Sequence, residues 1–460
     1  MGRAQRSAGA EEPAEAARAL PGTAGPAIPR PGGNRRWLMI ALIFLGTVVV
    51  YVDRANLSAA APELKEEFNL SSTELGLVLS GFFWTYAAFQ LVAGWFTDRF
   101  GARTSYTAAG FLWSAFTALT AMAQGFASLL TVRLMLGAGE SPGYPTNAKV
   151  VREWMPQRER GLATGIYDSG SRIGSAVALP VVTALIILVG WRGSFVATGL
   201  VGFFWIAAWW LIYRRPEQDR RLSASEMAYI RQDAIATAEA EVVPAPRTIP
   251  SHHFLRYRSV WAMMLGNFSL GFVNFWFITW FPSYLVEARD FDLASLGIAG
   301  SIPAITAAVA GWIGGLSADA LIRRGWTPTR ARKTLIIGGL AISSVVVLAG
   351  FIESTGAAVA LLALSYGALT FASASVWLLP AELAPTSGHV GQFAGYMNFA
   401  GNAAGIMTSI VTGVLLDLSG GSFAGPIIGA GIVILIGILA FSVLLRRVEP
   451  VQLDPLPRAP

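Results

Sequence analysis

Repeated apolar length is the feature that most constrains how this chain can fold. A helix that crosses a bilayer needs about 20 predominantly apolar residues. Stretches of that kind recur along the chain, at 37–60, 75–97, 104–124, 127–147, 160–187, 191–213, 258–285, 295–322, 333–352, 357–380, 388–416 and 422–445. Inside lipid only helices and closed barrels satisfy every backbone polar group. Runs this long read as helices. The expected fold class is an all-α polytopic membrane protein with twelve transmembrane helices. The charged fraction agrees: 13% of 460 residues, about half that of a soluble domain.

The net charge of +6 raises the question of a polyanionic partner. Its distribution answers against one. If the N-terminus lies inside, 28 of the 34 Lys and Arg fall in inside segments, and only Lys65, Arg192 and Arg289 fall in outside loops. Such a bias places both termini in the cytoplasm. The basic excess is topology, and nucleic-acid binding is not expected. The remaining three, Arg54, Arg133 and Arg172, sit within spans. There is no cysteine, which excludes disulfides and thiolate metal sites. His252 and His253 lie outside the apolar spans and His389 at the very start of one; they form no metal constellation, so neither metal nor cofactor is expected. No nucleophile–base set accompanies the buried carboxylates, so an enzyme is not expected either.

Residues 1–34 are rich in Ala, Pro, Gly and Arg and lack the apolar core of a signal peptide. They read as a disordered cytoplasmic tail. The expected organisation continues with a six-helix bundle at 35–215, a cytoplasmic linker at 216–257, a second six-helix bundle at 258–447 and a tail at 448–460. Within the linker, SASEMAYIRQDAIATAEAEV suits a short helix, which Pro244, Pro246 and Pro250 would end. The halves look related. GWFTDRFGAR (94–103) follows span 2 and GGLSADALIRRG (314–325) follows span 8. Gly94 and Asp98 recur as Gly315 and Asp319, each 221 residues later. A parallel repeat of two six-helix halves is a transporter architecture.

GWFTDRFGAR closely resembles the signature of the major facilitator superfamily between helices 2 and 3. The resemblance implies two pseudo-symmetric bundles and a loop that latches the cytoplasmic side. Asp98, Arg99, Arg103 and Asp319 are the gating candidates. Glycine there would allow close helix contact, and the aspartate would pair with arginine and cap a neighbouring helix.

Six ionisable residues lie within the first six spans: Asp53, Arg54, Arg133, Glu140, Asp168 and Arg172. A charge at membrane depth costs roughly 2.5–3.5 kcal/mol on insertion scales, so these should face the bundle interior. At 1.5 Å per residue, Arg133 approaches the level of Asp53 and Arg54, whereas Glu140 lies deeper, near the middle. Asp168 and Arg172 are i, i+4, the favourable order for an intrahelical pair. They read either as a self-satisfied bridge or as an arginine that meets substrate with its charge balanced. The last six spans carry neutral polar groups instead, among them Asn274, Asn398 and Asn402. Fully ionised, the six charges sum to zero. Protonating one carboxylate leaves a net positive site that suits a monoanion, and the protonated form then binds the anion better by linkage. The expectation is proton-coupled symport of a small organic anion.

YVDRANLS (51–58), RLMLGAGESPGYPTNAKVVREWMPQRERGLATGIYDSGSRIG (133–174), WFPSYL (280–285) and LLPAELAPTSGHVGQFAGYMNFAGNAAG (378–405) resemble the anion:cation symporter branch of that superfamily. This branch includes bacterial sugar-acid carriers and the vesicular glutamate transporters and sialin. The resemblance implies that Arg54 contacts the substrate carboxylate, that Asp53 and Glu140 are proton-coupling carboxylates, and that Arg133 modulates Glu140. It implies that Tyr51, Tyr86, Trp377 and Asn398 line the cavity, with Asn402 the register alternative to Asn398. Ser171 and Arg172 join the substrate-binding candidates. Here the chain departs from the branch, whose sugar-acid carriers often have a neutral amide or small residue near them. The implied substrate is a sugar acid of hexuronate, galactonate or glucarate type. A dicarboxylate, an aromatic acid, Na⁺ coupling, exchange and a transporter-like receptor remain alternatives. The implied partners are the anion, the proton as coupling ion and the lipid bilayer, for a monomer in a bacterial inner membrane.

Overall fold

Two glycines fold the longest helices back on themselves. A straight helix of 56 residues would run about 84 Å, more than twice the thickness of a bilayer core. The helix Gln157–Ile212 avoids this at Gly190, and Ser72–Leu119 does so at Gly101. The two glycines have φ values of 70° and 80°, a left-handed region that glycine enters at no steric cost. The computed structural model describes residues 32–238, 251–385 and 389–452. The tail 1–31 and the stretch 239–250 with its three prolines lie outside the described residues.

The first half holds α1 (Arg35–Glu67), α2 (Ser72–Leu119), α3 (Phe126–Glu140), α4 (Gly143–Trp154) and α5 (Gln157–Ile212). Between the halves come α6 (Ala224–Ala238), inside the stretch expected to be helical, and α7 (Ser251–Phe254). The second half holds α8 (Arg258–Thr279), α9 (Phe281–Arg289), α10 (Leu293–Ala299), α11 (Ser301–Arg323), α12 (Pro328–Ser343), α13 (Thr355–Val376), α14 (Leu379–Leu383), α15 (Val390–Leu418) and α16 (Ala424–Leu439). The described residues contain no strand. Eight helices are long and apolar enough to cross a membrane, or nine with the bent pair Ser72–Gln90 and Val92–Met122 as one span. This count stops short of twelve partly because α5 holds two arms in one helix and because a break at Ser141 and Pro142 separates α3 from α4.

Small residues set the packing. A Cβ on Gly174 of α5 would stand 2.9 Å from the Val48 carbonyl oxygen and the Tyr51 Cβ of α1. One on Gly137 of α3 would run into the Phe82 carbonyl of α2. Close backbone approach of this kind is how helices associate where the hydrophobic effect offers no drive.

The halves meet unevenly. At the end far from the tails, Lys65 pairs with Glu287 at 2.7 Å. The Asp417 carboxylate at the end of α15 accepts from the Ser72 and Thr73 amides of α2 at 2.9 and 2.8 Å and from the Thr73 hydroxyl at 2.6 Å. A Cβ on Gly76 would stand 2.5 Å from the Ser409 carbonyl oxygen. At the tail end, by contrast, Cβ atoms added to Gly94, Gly315, Gly391 and Gly395 would meet nothing within 4 Å. The close contact expected of Gly94 and Gly315 is therefore absent. The reason is geometric: α2 and α15 converge at one end and splay at the other.

At the tail end the first half also binds the start of the connecting segment. Arg36 is buried and pairs with Glu159 of α5 at 2.9 Å and with Glu226 of α6 at 3.2 Å. Arg35 pairs with Asp219 at 2.9 Å. Phe254 instead packs on Phe393 of the second half, with ring centroids 5.3 Å apart.

Candidate functional site

Asp53 and Arg54 are neighbours on α1, so their side chains leave the helix about 100° apart, and each meets a different environment. The Arg54 guanidinium bonds the Glu140 carboxylate at the end of α3. Three rings enclose it: Tyr51 at 5.0 Å, Phe82 at 4.5 Å and Tyr86 at 5.3 Å. Its Nε is buried without a partner. The depth estimate placed Glu140 well below Arg54. The structure joins them because both side chains are long and reach along the bundle. The aromatic faces hold the cation where water is scarce.

Asp53 turns the other way. It is buried, at 3% exposure, and neither carboxylate oxygen has a hydrogen-bond partner. The Thr198 hydroxyl stands beside it, but that hydroxyl accepts from the Asn56 amide at 3.1 Å and donates to the Phe195 carbonyl at 3.4 Å. Ser194 in turn donates to the Asn56 carbonyl at 2.8 Å. Arg133, also buried, lies within electrostatic reach of Asp53 and Glu140, yet its Nε is unpartnered and it makes no ion pair among the described residues. Unsatisfied buried polar groups are rare and call for an explanation. Here a carboxylate and a guanidinium are both left open beside a closed pair. Such a carboxylate is free to take a proton, and such a cation is free to take an anion.

Asp168 and Arg172 form the expected i, i+4 pair at 3.5 Å. They are not buried as the sequence suggested. The Asp168 side chain is 42% and the Arg172 side chain 35% exposed, because this arm of α5 borders the splayed end. The Ser171 hydroxyl donates to the Asp168 carbonyl at 2.6 Å. Nearby, a cavity between the halves is lined by Tyr51, Ser58, Ser175, Phe277, Pro303 and Tyr366, among others. The Tyr366 hydroxyl donates to the Asn274 side-chain carbonyl at 3.0 Å, and its ring stacks on Phe277 with centroids 4.3 Å apart. Trp377 and Asn398 are exposed in the second half. The Asn402 amide donates to the Asn398 carbonyl at 3.0 Å, so the two stand one turn apart on α15.

The gating candidates are spread along the tail end. Asp98 pairs with Lys149 of α4 at 3.1 Å rather than with an arginine. Arg99 and Asp319 are exposed. Arg103 donates to the Trp210 carbonyl at 2.7 Å and lies 3.9 Å over the Trp210 ring. Residue-type reasoning missed Phe82, which carries no polar signal. It also missed Asn56, Ser194 and Thr198, which become recognisable only once α1 and α5 are side by side.

Comparison with known proteins adds the following. The family model described as Major Facilitator Superfamily matches residues 43–409. A "D-galactonate transporter" of Escherichia coli strain CFT073 is 35% identical over 426 residues, covering 91% of this chain and 97% of that protein. A "Probable galactarate/D-glucarate transporter" of Escherichia coli K12 is 33% identical, covering 84% and 89%. A "Hexuronate transporter" of Bacillus subtilis is 31% identical, covering 90% and 94%. Among solved structures, a bacterial homologue of the human lysosomal transporter Spinster, inward-facing and unoccupied, superimposes with TM-score 0.73 at 17% identity, covering 90% of this chain and 97% of that one.

Proposed function

Because this chain belongs to the major facilitator superfamily, and so is a multi-pass membrane transporter rather than an enzyme, we propose that it takes up a sugar acid together with a proton by alternating access. The observation that carries this reading is the Arg54–Glu140 pair, closed inside three aromatic rings next to an unpartnered Asp53. With Glu140 ionised, Arg54 is already neutralised and a substrate carboxylate finds it occupied. A proton on Glu140 removes that competitor. Arg54 then takes the substrate carboxylate in a charge-assisted bond, the kind of contact that favours arginine. Linkage makes the relation reciprocal, so bound anion holds the proton and bound proton holds the anion.

Asp53 is the second proton-coupling group, and Arg133 sets the field of both carboxylates. Tyr51 and Tyr86 wall the site, while Asn398, Asn402 and Trp377 approach from the second half to bind sugar hydroxyls. Asp98, Arg99, Arg103 and Asp319 latch the tail end once it closes. We place both termini in the cytoplasm of a bacterial inner membrane, where the splayed end is the open inward mouth, and read the protein as a monomer of twelve crossings.

The test is uptake into proteoliposomes with the pH and Na⁺ gradients varied separately. Sugar-acid accumulation should follow the pH gradient alone. Accumulation that follows only Na⁺, or no uptake of any carboxylate, would overturn the proposal.

A further inference from the structure

We propose that Arg172 is a second carboxylate anchor, and that the preferred substrate is a linear six-carbon sugar diacid held at both ends. This rests on the sugar-acid reading above and narrows it. Arg54 faces one end of the central space and its partner Glu140 is almost wholly shielded. Arg172 is held differently. Its pair with Asp168 is longer, at 3.5 Å, and more than a third exposed on both sides, a setting in which an ion pair contributes little and exchanges easily. Its side chain reaches across to the second half. A Cβ on Gly311 of α11 would stand 3.8 Å from the Arg172 Nε, at ordinary van der Waals distance. Tyr51 and Tyr366 both line the cavity. Tyr51 lies under the Arg54 guanidinium, and Arg172 is within electrostatic reach of Tyr366.

The backbone offset between the two arginines is of the same order as the length of a diacid. Gly170 abuts the Phe44 carbonyl and Thr47, and Gly174 abuts the Val48 carbonyl and Tyr51. Arg172 is therefore level with residues 46 to 49 of α1. Arg54 lies five to eight residues further on, roughly 8–12 Å along the axis. Five carbon–carbon bonds of about 1.5 Å span roughly 6 Å when extended. A charge-assisted contact of about 2.8 Å at each end brings the distance between the cationic nitrogens to roughly 12 Å. A monoacid of the same length ends in a hydroxymethyl group and leaves Arg172 with Asp168. Asp168 is then the resting partner that a second carboxylate displaces, as Glu140 is for Arg54.

The experiment measures initial uptake of galactarate and of galactonate into proteoliposomes of the full chain under one imposed pH gradient. The wild-type protein should favour galactarate in kcat/KM. In Arg172→Gln the galactarate-to-galactonate ratio should fall about tenfold or more, the effect of losing one charge-assisted contact, and Arg172→Lys should restore part of it. Asp168→Asn should shift the ratio the opposite way. A wild-type protein that carries galactonate but not galactarate overturns the proposal and leaves the sugar-acid reading standing, as does a ratio unchanged within about twofold in Arg172→Gln. Failure to carry either acid overturns this proposal, and failure to carry any carboxylate sinks the parent reading with it.

Discussion

Glu140→Gln separates binding from coupling. The substitution keeps the shape of the side chain and removes the charge that closes Arg54. Each pH unit across a membrane is worth about 1.4 kcal/mol per proton, a factor of ten. With a two-unit gradient and one proton per anion, the wild-type protein should concentrate a sugar acid about 100-fold. The variant should still exchange labelled for unlabelled substrate, but its accumulation should collapse towards unity. A second number comes from the pair itself. Arg54 and Glu140 expose only 13% and 6% of their side chains, and removing one partner of a buried pair costs about 3–5 kcal/mol. The enclosing rings, at 4.5 to 5.3 Å, face Arg54 in both proteins and so do not enter the difference. The empty variant should therefore be less stable than the wild-type protein. Substrate, by supplying the missing anion, should raise its Tm more than it raises that of the wild-type protein. Purified protein with and without galactonate gives the Tm difference, and vesicles give the accumulation ratio. A variant that still concentrates substrate about 100-fold, or that gains less from ligand than the wild-type protein, would refute the reasoning.

Four further outcomes follow from contacts at the two ends. Asp417→Ala removes the acceptor of three hydrogen bonds that join the halves; at about 1 kcal/mol for such a cap, the population open at the far end should rise several-fold, read as labelling of a cysteine placed near Lys65. Gly76→Val puts a side chain where a Cβ already stands 2.5 Å from the Ser409 carbonyl, so the far end should fail to close and uptake should fall at least tenfold while far-end labelling increases. Arg36→Ala leaves Glu226, whose side chain is 1% exposed, without its cation. It should cost about 3–5 kcal/mol, seen as a lower Tm and faster proteolysis of α6, whereas Asp98→Asn, at a side chain 82% exposed, should change stability by less than about 1 kcal/mol.

Much of the fold was legible because lipid imposes a coarse rule: length and apolarity mark the crossings, and glycine or proline marks the breaks. The ionisable residues inside the spans were legible for the same reason, since each stood out against an expensive background. Their pairing was not. Rise per residue gives the depth of a Cα, while Arg54 and Glu140 meet through several bonds of side chain. The far-end contacts were harder still. Lys65, Glu287 and Asp417 looked like ordinary charges at helix ends, and only the approach of α2 to α15 turns one of them into a cap for a helix in the other half. Gly94 and Gly315 show a different limit. Their spacing recurs in both halves, yet whether a glycine is in contact depends on which end of the molecule is open.

The anchoring of α6 has a consequence for the chain as a whole. Arg36 holds Glu226 to the first half, and Phe254 is already embedded in the second. The chain passes from the one anchor to the other through residues 239–250, which lie outside the described residues. What holds the halves in register is the noncovalent seam at the far end rather than the polypeptide itself. The molecule is in effect a heterodimer written on one chain, and its two parts, made as separate polypeptides cut between 239 and 250, should find each other in the membrane.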